Sequence, residues 1–183
     1  MNHKLTTPLT KDALKCLKSG DTVLISGTIY TARDAAHKRM LEDYKKTGVF
    51  PIDLKNQIIY YAGPCPAKPG EVIGSCGPTT SGRMDAYTPL LMDMGLCAVI
   101  GKGIRNEEVK SSMKKNGAVY FGASGGAGAL IAECIKTSEV VAYEDLGTEA
   151  IRRLEVSDFP AVVLFDTFGN DLYESGQKKY CKI

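Results

Sequence analysis

Tryptophan is absent from this chain of 183 residues, and histidine occurs twice, as His3 and His37. So few imidazoles exclude a histidine-rich metal site. The six cysteines (Cys16, Cys65, Cys76, Cys97, Cys134 and Cys181) contain no C-x-x-C pair, which removes the spacing expected of zinc and iron–sulfur ligands. They read as free thiols, and no metal ligand is expected on this chain; a metal taking part in its work would be held by another chain. An excess of one charge is also missing. A net charge of +2 gives no case for a nucleic acid or a membrane surface as partner. No apolar run approaches the roughly 18–20 residues that span a bilayer, and the polar start, Met1 to Thr10, has no signal-peptide core. The expectation is a cytoplasmic protein. What remains is 44% hydrophobic and 24% charged, enough apolar material for one globular domain over residues 1–183.

Taken in order, Thr10 can cap a short helix through Lys18 that Gly20 ends. Asp21 to Thr31 reads as a strand, or a strand pair broken at Gly27. A helix opens at Arg33 and stops near Gly48, with Arg33, His37 and Met40 on one half-exposed face. Ile58 to Ala62 is a short strand. The loop from Gly63 to Gly77 is long and carries three prolines and four glycines, the composition of a functional or irregular connection. Leu96 to Ile100, Ala118 to Ala123 and Val140 to Tyr143 read as further strands. Between them lie helices from Asn106 to Lys115 and from the Ser124–Gly128 glycine turn to Lys136. Alternation of this kind favours a parallel or mixed sheet covered by helices, an α/β fold with ligands at the strand ends. Beyond Gly147 the chain looks β-rich, with a strand from Ala161 to Phe165, a turn at 166–170 and a polar tail from Asp171 to Lys179.

The chemistry is placed in Gly77-Pro78-Thr79-Thr80-Ser81-Gly82-Arg83-Met84-Asp85-Ala86-Tyr87. Met84, Tyr87, Leu91 and Met94 recur at helical spacing, so Thr79, Thr80 or Ser81 is expected to cap a helix running to Gly95. A helix start attracts anions, and Arg83 adds a fork of donors suited to a carboxylate. Lys102, between Gly101 and Gly103, offers a point charge at a strand end. Phosphate-loop readings fail: Gly95 to Lys102 has the wrong glycine spacing, and Ser124 to Gly128 lacks the dinucleotide pattern.

Four segments together resemble the iron–sulfur hydro-lyases, the family of class I fumarate hydratases and L(+)-tartrate dehydratases. They are Gly27-Thr28-Ile29 leading into Arg33-Asp34-Ala35-Ala36-His37, then Tyr61-Ala62-Gly63-Pro64, then the Gly77–Asp85 segment, then Gly101-Lys102-Gly103. The resemblance is to the β subunit, which corresponds to the C-terminal domain of single-chain fumarases, and it implies a swivelling β/β/α domain. It also implies an α subunit that carries a [4Fe–4S] cluster through its own cysteines, an active site at the junction, and a higher oligomer of αβ units. By resemblance, Arg33, Thr80, Arg83 and Lys102 bind a dicarboxylate substrate, while Thr79 is the base and His37 its rival. The implied function is that of a fumarate hydratase β subunit, interconverting fumarate and (S)-malate. Departures at Ala86 and Ile104 keep an L(+)-tartrate dehydratase β subunit as the alternative. A non-catalytic swivelling or small-anion-binding module is the competing reading from another class.

Overall fold

The computed structural model describes residues 1–181. Seven strands form one mixed sheet: β1 (Asn2–Thr6), β2 (Thr22–Thr31), β3 (Ile58–Tyr60), β4 (Ala98–Gly101), β5 (Val119–Gly122), β6 (Ile135–Ala142) and β7 (Ile151–Phe165). Strands β1 to β5 run parallel, and β7 runs antiparallel to β5, β6 and β2. The pairing of β7 with both β5 and β2 closes a ring of five strands, β2-β3-β4-β5-β7. β1 and β6 lie outside that ring as edge additions. The expected α/β architecture with a mixed sheet is present; closure of the sheet went beyond it.

Closure depends on two long strands that change neighbours along their length. β2 lies beside β1 over Thr22–Ser26 and beside β3 at Tyr30 and Thr31. The switch falls at a bulge between Ile25 and Gly27. Gly27 has φ +102°, and a Cβ there would run into Thr7, so glycine is required at that bend. The residue read as a possible break is therefore a bulge within one continuous strand.

Alternation along the strands separates two apolar layers. Ile58 and Tyr60 of β3, Ile100 of β4, Phe121 of β5 and Leu154 of β7 belong to one buried cluster. Ile59, Tyr61, Val99, Tyr120 and Leu164 point the other way, into a second cluster with Met40, Leu91 and Met113. That second layer is covered by α2 (Asp34–Thr47), α3 (Thr88–Asp93) and α4 (Glu107–Asn116). The caps are those the sequence advertises. Gly48 and Gly117 close α2 and α4 in the left-handed conformation, and the Asn106 side chain accepts from the Val109 amide.

Several expectations need correction. The first helix, α1, is confined to Lys11–Lys15. The Ala-rich helix α5 covers Gly128–Glu133, after which Ile135 already begins β6. The supposed polar tail is helical: α6 spans Leu172–Tyr180, capped by the Asp171 side chain. The helix expected from Thr79 to Gly95 is broken into a 3-10 turn at Ser81–Met84 and α3. Pro89 sits in the first turn of α3, where a missing N–H costs nothing, and so marks where the real helix starts.

Candidate functional site

Because β2, β3, β4 and β5 are parallel, the segments that follow them leave from one edge of the ring. Arg33 and Asp34 follow β2, Tyr61 to Gly63 follow β3, Lys102 and Gly103 end β4, and Ser124 to Gly128 follow β5. The Gly77–Asp85 segment crosses this edge. Its backbone is stitched on by short pairings: Ala62 with Pro78, the Thr79 amide to the Tyr61 carbonyl (2.6 Å), Thr80 beside Lys102, and the Ser81 amide to the Lys102 carbonyl (2.8 Å). Thr80 and Lys102 thus become neighbours although 22 positions separate them.

The cations are held loosely. Asp34 lies 3.7 Å from Arg33 and 3.8 Å from Arg83, and Glu149 lies 3.6 Å from Arg33. Those separations exceed hydrogen-bond range, so the guanidinium donors stay available to another carboxylate. The Arg33 guanidinium crosses Gly63, where a Cβ would stand 2.8 Å from Nη1. Arg83 is 57% exposed, against 23% for Arg33. Thr80 and Lys102 are exposed and Thr79 is half-buried. Lys102 reaches towards the next loop, its Nζ 3.6 Å from where a Cβ on Gly125 would sit. Three cations face two carboxylates across this edge, an arrangement that can take an anionic ligand.

His37 corrects an expectation. The Arg–His face is not half-exposed: His37 is fully buried in α2 against Tyr61, with ring centroids 5.4 Å apart. Its Nδ1 lies 2.8 Å from the Arg33 carbonyl, which can only accept, so Nδ1 carries the proton. Nε2 is buried without a partner. Burial pushes the imidazole down to about 4, the Arg105 charge adding to that and the Arg33 carbonyl opposing it. His37 is therefore neutral at pH 7 and holds Arg33, the residue just before α2. The expected anion-attracting helix start is also corrected. Thr80 makes no side-chain cap, and the four-residue 3-10 turn supplies little aligned dipole. Any anion affinity here comes from side chains.

Beneath the edge lies a polar network that the sequence reading missed. Buried Arg105 donates from Nε to Asp85 (2.6 Å) and from Nη2 to Thr88 (2.7 Å). The second Asp85 oxygen accepts from the Asn106 amide. Tyr120 donates to the Gly103 carbonyl (2.8 Å) and pairs with Ser81 (2.9 Å). The signal was faint: an Asp in G-R-M-D and an Arg three residues beyond Lys102.

As ligands for a metal or cluster, the residues of this chain do not fit. Among the described residues no group of three or more His, Cys, Asp or Glu side chains could hold a metal ion. The six cysteines are free, and burial pushes the Cys76 and Cys97 thiols up to about 12, far from the thiolate form that binds iron. No helix of the described residues is long and apolar enough to cross a membrane.

Residues 1–176 match the family described as Fumarase C-terminus. The class I aerobic fumarate hydratase of Salmonella typhimurium is 42% identical over 159 residues, 86% of this chain and 27% of that protein. A putative class I fumarate hydratase of Geobacillus stearothermophilus is 39% identical over 95% of this chain and 34% of its own length. The chain thus spans about a third or less of these fumarate hydratases. The putative L(+)-tartrate dehydratase subunit beta of Methanocaldococcus jannaschii differs in proportion: 41% identity covers 93% of this chain and 91% of that protein. A match over nearly all described residues, on a ring whose edge gathers the Arg33, Gly77–Asp85 and Lys102 segments, places this chain in the Fumarase C-terminus family.

Proposed function

We propose that this chain is the β subunit of a fumarate hydratase, hydrating fumarate reversibly to (S)-malate at a site completed by an α subunit. The single observation that supports this most is the meeting of Arg33, Thr80, Arg83 and Lys102 at one strand-end edge, with the arginine forks loosely paired. In this reading the arginines hold the substrate carboxylates bidentately, Lys102 adds a point charge and Thr80 a hydroxyl. Thr79 moves the C3 proton, activated by a carboxylate of the partner, because a threonine alone is a poor base. His37 acts by seating Arg33. The [4Fe–4S] cluster belongs to the α subunit, since the described residues hold no group of donors for it, and no step assigned to these residues runs through it.

The whole chain acts as one domain that swivels over the α subunit, in the cytoplasm and within a higher oligomer of αβ units. A tartrate dehydratase β subunit is the second reading, favoured by the near-complete length match to the archaeal protein so named.

Arg83→Lys in the assembled αβ enzyme tests the reading. The charge survives but the planar fork is lost, so kcat/KM should fall at least about tenfold, equivalent to about 1.4 kcal/mol. Unchanged kinetics would reduce Arg83 to a solvated surface residue. Running the assay with fumarate and with L-tartrate separates the two readings, because the cognate dicarboxylate should show the larger kcat/KM.

A further inference from the structure

Two separate segments carry the exposed cations Arg83 and Lys102, and one buried guanidinium ties them together. We propose that Arg105 is the positioning residue that sets the spacing of the anion-binding side chains; this rests on the reading above. Arg105 lies three positions after Lys102. Its Nε meets Asp85, two positions after Arg83 (2.6 Å), and its Nη2 meets Thr88 at the start of α3 (2.7 Å). Thr88 spends its own proton on the Met84 carbonyl (2.8 Å), so it accepts from both Arg105 and the Tyr61 hydroxyl (3.0 Å). The guanidinium lies over the rings of Tyr61 and Tyr120, at 5.4 and 5.3 Å from their centroids.

Tyr120 extends the clamp to the lysine. Its hydroxyl donates to the Gly103 carbonyl, which leaves Ser81 to donate to Tyr120. The amide of Gly103 in turn donates to the Tyr173 hydroxyl oxygen (3.0 Å). Gly103 is thus fixed at both its backbone groups, and the Ser81 amide holds the Lys102 carbonyl. Arg105, Asp85 and Thr88 form one hydrogen-bonded group and Ser81, Tyr120 and Gly103 another, and the Arg105 guanidinium over the Tyr120 ring packs the two together below the surface. A charge this deeply buried is costly unless paired, and here its pairing fixes the register of two loops. Arg83 and Lys102 themselves stay free of it, at the surface.

The test compares Arg105→Lys with Leu17→Ala, a remote buried substitution that lowers melting temperature without touching the edge. Lysine keeps the charge but cannot bridge Asp85 and Thr88 in one plane. In the αβ enzyme, Arg105→Lys should raise KM for the dicarboxylate between about 10- and 100-fold, as small misplacements of binding groups do, with a smaller change in kcat. Leu17→Ala should leave KM alone. Arg105→Lys combined with Arg83→Lys should lose clearly less than the product of the two single losses, because Arg105 acts in part through Arg83. Independently of activity, exchange of the Ser81 and Gly103 amides with deuterated water should quicken at least tenfold in Arg105→Lys relative to Leu17→Ala. Additive losses in the double variant, or amide exchange equal to that of Leu17→Ala, would overturn the clamp. Failure of the functional reading looks different: Arg83→Lys is then kinetically silent while the amide exchange still responds to Arg105→Lys.

Discussion

His37 shows how one buried side chain links folding to the site. Its imidazole is fully buried, and a carbonyl fixes its single proton on Nδ1. Because its pKa falls from 6.5 to about 4, the folded state binds fewer protons than the unfolded chain between those values. Stability from this group is complete above pH 6.5 and is lost as pH falls towards 4, by up to about 3 kcal/mol. Urea midpoints at pH 7.5 and 4.5 should therefore differ more for the parent than for His37→Asn; an equal difference would mean that His37 does not titrate in this way. The same variant bears on the base. Thr79→Ala should lower kcat by about 10²–10⁴-fold yet keep malate binding, and should abolish exchange of the malate C3 hydrogen with deuterated water. His37→Asn should keep that exchange. The reverse pattern would make His37 the base.

At the scale of elements, the strand ends and the site segments were legible in the sequence, and the continuity of the elements was not. Ile58, Leu96 and Ala118 open short apolar runs preceded by polar or glycine residues, and a strand lies in each. Met84, Tyr87 and Leu91 suggested one helix because they share a buried layer, but two short turns joined at Tyr87 deliver them to it equally well. β1 escaped notice because its residues are mostly exposed: pairing with β2, not apolar pattern, makes it a strand. The Asp85–Arg105 pair left only a faint trace there, since no local pattern reports a contact across 20 positions. Gly101 is where this packing is tightest. A Cβ there would collide with Ser81 and come within 3.0 Å of Tyr61, both already hydrogen-bonded. Gly101→Ala should cost about 1–3 kcal/mol in urea unfolding and raise KM along with it. A stability loss with unchanged KM would show that the 3-10 turn moves without carrying Arg83.

For the whole molecule, the closed ring places the candidate side chains on an outer edge. Arg83 is more than half exposed and Lys102 stands clear of the core. Hydration of a carbon–carbon double bond needs more than carboxylate binding: a group must activate oxygen at C2, and the water around the reacting atoms must be controlled. The described residues offer no metal-holding group for the first task. The chain spans about a third or less of the fumarate hydratases it resembles and nearly all of a protein named as a β subunit. From these facts the purified chain by itself should neither hydrate fumarate nor dehydrate L-tartrate, and incubation with iron and sulfide should give it no visible cluster chromophore. Adding the companion chain should bring both the colour and turnover. The decisive comparison is titration of the companion with parent chain and with Arg83→Lys: the colour should be the same in both, and only turnover should drop. Turnover by this chain alone after iron and sulfide treatment would place the whole active site within it and overturn the shared-site reading.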